Sequence, residues 1–207
     1  MTFAWTLDER KFLNQAYVSR LRKYCSGQKE KVHKTDKFLA VRRWFLVELG
    51  LNTGLRVQEM TDLKWGDMFI DSLEASVVVR KGKGKRKRSV WINDSFKEIC
   101  QHYKYWLHLQ GHSVNDEVCV FTSENDSPLT KRTLQKDFKM IIGRAGLPEY
   151  YSIHCLRHTY ATHLLKASNN NYKLVAGQLG HSSIKVTEVY TSLIRSDVKK
   201  ALSKLYE

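Results

Sequence analysis

The chain of 207 residues carries 35 Lys and Arg against 21 Asp and Glu, a formal charge of +14 that points to a polyanionic partner, nucleic acid first. That length suits one ordinary domain with a real core, and the lack of any long apolar run argues against a membrane span. The opening MTFAWTLDERKF has no apolar h-region, and Cys25, Cys100, Cys119 and Cys155 form neither a CxxC pair nor a tight framework, so a cytoplasmic protein with reduced thiols and no signal peptide is expected.

In chain order, the first helix is expected over residues 6–23, with Thr6 as its cap and Glu9 at the capping-box position. Leu7, Phe12, Leu13, Ala16 and Leu21 form its apolar stripe. The lysine-rich stretch 26–34 reads as a loop. Helical spacing returns over 36–51 through Leu39, Trp44, Phe45, Val47 and Leu51, and Asn52-Thr53-Gly54 ends it. A short helix follows over 56–63. The period then changes to that of short Val- and Ile-rich strands at 68–70, 76–80 and 89–92. The last two flank RKGKGKRKR, a hairpin tip in which Gly82 and Gly84 supply unusual backbone angles. Helices resume over 95–109, 130–145 and 153–166, and a last one is expected over 197–206. The fold class is therefore mainly α with a small three-stranded antiparallel β-sheet. Trp5, Trp44, Trp65, Trp91 and Trp106, spread along the chain, read as core residues and not as a base-stacking platform.

The chemistry concentrates in residues 152–192. His154 and Arg157 stand three apart and share a face if their segment is helical. An imidazole and a guanidinium displayed together suit a phosphate, which Arg grips with a planar fork of donors. His181 follows in the turn LGHSS, and Tyr190 comes nine residues later. Two His, one Arg and a late Tyr on a basic chain suggest a tyrosine nucleophile aimed at a DNA phosphate. His154 and His158 are also at metal-binding spacing, but the run is HCLRH without the Glu of HExxH, and no third ligand is evident. His158 and His163 read as structural, and Tyr160 and Tyr172 as buried aromatics. In the hairpin, Arg80, Lys81, Lys85, Arg86, Lys87 and Arg88 read as a solvated run that touches backbone phosphates. Arg56 beside Glu59 would, alone, be a surface helix pair.

Four stretches together, TGLRVQEMTDLKWGDM, the glycine-lysine hairpin, HCLRHTYATHLL and LGHSSIKVTEVYT, resemble the tyrosine recombinases of the phage integrase family in order and spacing. The resemblance implies a helical catalytic domain that cuts and rejoins double-stranded DNA through a phosphotyrosine link, with no metal or nucleotide cofactor. By the same likeness Arg56 matches the first family arginine and Glu59 the acidic position that steadies it. Lys83 matches the hairpin lysine, with Lys81, Lys85 and Lys87 as rivals because a glycine-rich turn fixes register weakly. His154 and Arg157 match the His-x-x-Arg pair, His181 the His/Trp position, and Tyr190 the nucleophile.

An ordinary tyrosine has a pKa near ~10 and needs a proton acceptor, which His154 would supply as general base. Arg56 and Arg157 would hold the non-bridging oxygens, His181 would add a hydrogen bond, and Lys83 would protonate the leaving 5′-oxygen. Residues 1–207 are expected to be one catalytic domain without a separate N-terminal DNA-clamping domain, ending in a tail helix over 197–207 that serves a homo-tetramer on DNA. Trp91 stands where the family often has proline. A type IB topoisomerase-like enzyme and a non-catalytic DNA-binding protein on the same fold are the two rival readings.

Overall fold

A long helix with apolar residues on every side belongs inside a protein, and the second long helix of this chain is one, although it also carries Arg42 and Glu48. In the computed structural model, which describes residues 9–31, 34–80 and 87–180, helix α2 (Lys34–Thr53) runs through the centre. Phe38, Val41, Phe45, Leu46, Val47 and Leu49 on it are all buried. Phe45 stacks on Tyr103 at 3.9 Å between ring centroids and lies beside Phe96 and Phe121. The buried Arg42 of α2 is held by Asp137 at 2.9 Å and by the Thr122 carbonyl at 3.0 Å, so its charge is paired as burial requires.

Around α2 pack α1 (Gln15–Lys31), α4 (Asp94–Leu109), α5 (Lys131–Arg144) and α6 (His154–Ala167). The short α3 (Val57–Thr61) follows α2, and α7 (Tyr172–Leu179) follows α6. Strands β1 (Met68–Phe69), β2 (Ser76–Val79) and β3 (Arg88–Trp91) form one antiparallel sheet in that order. Val77 pairs with Met68 on one side and Val90 on the other, and Val79 pairs with Arg88. The expected fold class is thus observed. The strands fall within a residue or two of their predicted bounds, and the hairpin tip between β2 and β3, residues 81–86, lies outside the described residues.

Three sequence expectations are corrected. The helix expected over 6–23 is instead a 3₁₀ turn, Glu9–Lys11, followed by α1 starting at Gln15. Asn14 sets the new start: its side-chain oxygen accepts the Tyr17 amide at 2.8 Å, the work of an N-cap. Thr6, the cap expected from the sequence, lies outside the described residues. The stretch expected to be a loop over 26–34 is helical as far as Lys31, because its long polar side chains lie along α2. Lys29 places its ammonium 4.0 Å from the centre of the Trp44 ring. Trp91, expected in the core, is 52% exposed. It occupies an outward position of β3, alternating with the buried Val90. Trp5 lies outside the described residues.

Two close approaches seat the helices that carry the site. At Gly50 of α2 an added Cβ would stand 2.6 Å from Leu156 Cδ1, so the missing side chain lets α6 lie directly on α2. At the start of α1 the Leu13 amide donates to Thr159 Oγ1 of α6 at 2.8 Å. All four cysteines are free thiols, and burial pushes the Cys25 thiol up to about 12.

Candidate active site

The site is assembled around the turn after α2. Gly54 there takes φ +60°, a conformation that glycine adopts without steric cost. A side chain would also collide: its Cβ would lie 2.4 Å from Tyr160 and 2.9 Å from Leu179. Two residues later Arg56 sits at the N-cap of α3 in extended backbone. Glu59, in the first turn of α3, reaches back and accepts the Arg56 amide through Oε2 at 2.8 Å and the Arg56 guanidinium through Oε1 at 2.8 Å. The side chain of Arg56 stays 29% exposed, while that of Glu59 is 4% exposed.

From the second wall comes Arg157, buried on α6. Its Nη1 donates to the Gly54 carbonyl at 2.7 Å, and its Nη2 donates to the Leu179 carbonyl at 2.9 Å. One guanidinium therefore ties the turn that presents Arg56 to the last carbonyl of α7, one of those that no helix amide reaches. His154 opens α6 and is exposed, on the same helix as Arg157 and one turn before it. Of the residues expected in the site, Arg56, Glu59, His154 and Arg157 are thus carried on the turn and on α3 and α6. Lys83, His181 and Tyr190 lie outside the described residues, as do Lys81, Lys85, Arg86 and the tail 197–207.

The third wall is β3, and it brings a contact that sequence reasoning missed. Arg88 forks onto Glu59, with Nη1 to Oε1 at 2.9 Å and Nη2 to Oε2 at 2.8 Å. Its Nε donates to the Gln178 carbonyl at 3.2 Å. The signal was present in the alternation of the strand: Arg88 is two residues from the buried Val90 and shares its inward face. Of the other basic residues near the hairpin, Lys87 is exposed, and Arg80 donates through Nε to Asp67.

Helix α7, for which the sequence reading made no provision, is capped at both ends. The Asn171 side chain accepts the Leu174 amide at 3.0 Å, and Gly180 closes the helix at φ +64°. The side chain of Gln178 accepts the Trp91 amide at 3.1 Å, which occupies an N–H on the outer strand of the sheet.

Burial pushes the Glu59 carboxyl up. The Arg88 fork, the Arg56 amide and the two positive charges outweigh it and bring the pKa down to about 2. His158 is lowered too: burial first, then the Arg157 charge, bring it to about 4, so at neutral pH it is uncharged. Burial raises Tyr160 to about 12, which makes its phenolate a poor competitor for a nucleophile's role. Among the described residues no group of three or more His, Cys, Asp or Glu side chains is placed to hold a metal ion.

A guanidinium held by a buried carboxylate and a second guanidinium bound to the turn before it thus stand on neighbouring elements, with a histidine one helical turn before the second. Residues 11–196 match the phage integrase family, and the chain belongs to that family. It is 37% identical over 155 residues to tyrosine recombinase XerC of Neisseria gonorrhoeae, covering 75% of this chain and 48% of that protein. With XerC of Xylella fastidiosa it shares 32% over 173 residues, 84% of this chain and 54% of the relative. The chain spans about half the length of these relatives. Its fold superimposes on the XerH site-specific recombinase bound to difH substrate with a TM-score of 0.73 and 26% identity, over 98% of this chain and 54% of that one. The catalytic domain of bacteriophage HP1 integrase shares the fold at a TM-score of 0.58 and 22% identity, over 93% of both chains.

Proposed function

We propose that this chain is the catalytic unit of a site-specific DNA recombinase that cleaves and rejoins strands through a 3′-phosphotyrosyl intermediate. The observation that carries the proposal is that Arg56, two residues after Gly54, is held by Glu59 of α3, while Arg157 is bound to the Gly54 carbonyl of the same turn. In this reading the two cations hold the two non-bridging oxygens of one phosphate, where charge grows during in-line attack. The Tyr190 oxygen attacks phosphorus and forms the phosphotyrosine as the bond to the 5′-oxygen breaks. His154 takes the phenol proton, Lys83 protonates the leaving 5′-oxygen, and His181 donates to a non-bridging oxygen. A 5′-hydroxyl from another strand then reverses the step, and the bond energy is conserved in the link. Arg80, Lys81, Lys85, Arg86 and Lys87 contact backbone phosphates along the duplex, and the net charge of +14 favours that encounter. The working form is a homo-tetramer on DNA, joined through the tail 197–207.

The deciding experiment uses Tyr190→Phe and a nicked suicide duplex, from which the cleaved fragment diffuses away and traps the adduct. Phe keeps the ring and deletes only the nucleophilic oxygen. The unaltered chain should form a denaturant-stable protein–DNA adduct, and Tyr190→Phe should form none while binding the duplex with similar affinity. An adduct that survives in the variant moves the nucleophile elsewhere. Relaxation of plasmid DNA without exchange between sites would instead identify a topoisomerase-like nicking-closing enzyme.

A further inference from the structure

The Glu59 carboxylate offers roughly four lone-pair directions, and every one is used. Arg88 takes one on each oxygen, the Arg56 guanidinium takes one on Oε1, and the Arg56 amide takes one on Oε2. A carboxylate alone with an arginine favours two parallel N–H bonds to it. Here the Arg88 fork already occupies that geometry, so Arg56 is held by a single side-chain bond of 2.8 Å. Among the described residues the Arg56 guanidinium meets no other acceptor, and most of its five N–H donors are left for a substrate.

Arg88 itself has turned away from the surface that a hairpin arginine would be expected to serve. Its side chain is 11% exposed, and its Nε is on the Gln178 carbonyl. Gly180 makes room for it: a Cβ there would stand 2.6 Å from Arg88 Cδ. Carboxylate, helix end and glycine together fix the guanidinium.

We propose that Arg88 is a positioning residue for strand cleavage: by saturating Glu59 from β3, it prevents that carboxylate from capturing Arg56 in a two-bond fork and keeps the Arg56 guanidinium presented to the scissile phosphate. The inference rests on the recombinase reading above. It assigns Arg88 a role through Arg56 and not a direct contact with DNA.

The test compares single-turnover adduct formation by the full chain on a nicked duplex that the unaltered chain attacks. Arg88→Gln should slow the adduct about 100-fold, the scale of losing one fixed donor at the phosphate. Affinity for the duplex and its dependence on salt should not change, because no phosphate contact is lost. Adding Glu59→Gln to Arg88→Gln removes the carboxylate that would seize Arg56, so the double variant should be about tenfold faster than the single one, roughly what one hydrogen bond is worth. A merely structural role for the pair predicts a double variant no faster than Arg88→Gln, and that result overturns the proposal. So does a salt slope made shallower by about one unit in Arg88→Gln, the mark of a direct phosphate contact. If Arg88→Gln lacks a cooperative thermal transition, Arg88→Lys keeps the charge without the fork and carries the same comparison. An unaltered chain that forms no adduct at all counts against the recombinase reading, and this inference falls with it. An active chain matched by Arg88→Gln overturns this inference alone.

Discussion

Gly54 carries no functional group, yet three parts of the site meet on it. Its carbonyl receives Arg157, its backbone turns the chain into Arg56, and its bare Cα admits Tyr160 and Leu179. Gly54→Ala would impose a left-handed conformation on a residue with a Cβ, at a cost of about 1 kcal/mol. It would also drive that carbon into Tyr160, and overpacking of this kind costs about 1–3 kcal/mol more. The expected loss is therefore about 2–4 kcal/mol, measured as a shift of the urea midpoint at constant slope. Gly27→Ala is the internal control. Gly27 lies inside α1 with open space around the missing Cβ, so the same substitution should gain a few tenths to about 1 kcal/mol. Equal effects at the two glycines would contradict the account of the turn.

At the level of elements, what the sequence disclosed depended on whether a local signal was the one that won. The strands and α2 were legible from composition, Val-rich runs in the one and a long apolar-rich stretch in the other, because β2 is buried at all four positions and α2 along most of its length. The first helix was misplaced because Asn14 competes with Thr6 as a cap, and periodicity alone cannot choose between them. The lysine-rich end of α1 looks like a loop until α2 is beside it. In the site, Arg56, Glu59, His154 and Arg157 were legible from motif spacing, since each motif is local to one turn or helix. The Arg88–Glu59 fork joins residues 29 apart, and only strand parity hinted at it. The tail over 197–206 can be read only at this local level. In the sequence Asp197 stands where a helix cap is expected, and the spacing of Val198, Ala201, Leu202 and Leu205 is that of one apolar stripe if the segment is helical. Deleting residues 197–207 should leave a folded monomer that binds DNA, while tetramers on paired sites and strand exchange are largely lost. Light scattering and a recombination assay measure these two losses. Normal assembly by the truncated chain would refute the tail's role between subunits, and collapse of the monomer's thermal stability would show that it docks on its own domain.

Across the molecule, a few buried or half-buried ionisable groups among the described residues set the response to acid. His158 is about 4 in the folded chain against 6.5 ordinarily. The unfolded chain therefore binds more protons between those values, and stability falls as the pH drops from about 6.5 to about 4. His163, lowered by burial, adds to the same slope. Glu59 acts in the next window. Its carboxyl ionises at about 2 when folded and 4.5 ordinarily, so it stabilises the fold fully above 4.5 and loses that contribution as the pH falls toward 2. The shift corresponds to about 3 kcal/mol for this well-buried group. Acid unfolding should accordingly proceed through two successive losses of stability, while the rising positive charge adds self-repulsion to both. Replacing His158 with Gln should flatten the first slope and leave the second, with the part due to His163 persisting. Urea midpoints collected from pH 7.5 down to pH 2.5, at fixed ionic strength, measure both slopes. A His158→Gln chain that keeps the full slope between pH 6.5 and 4 would show that the neutral, half-buried histidine beside Arg157 is not what makes the fold acid-sensitive.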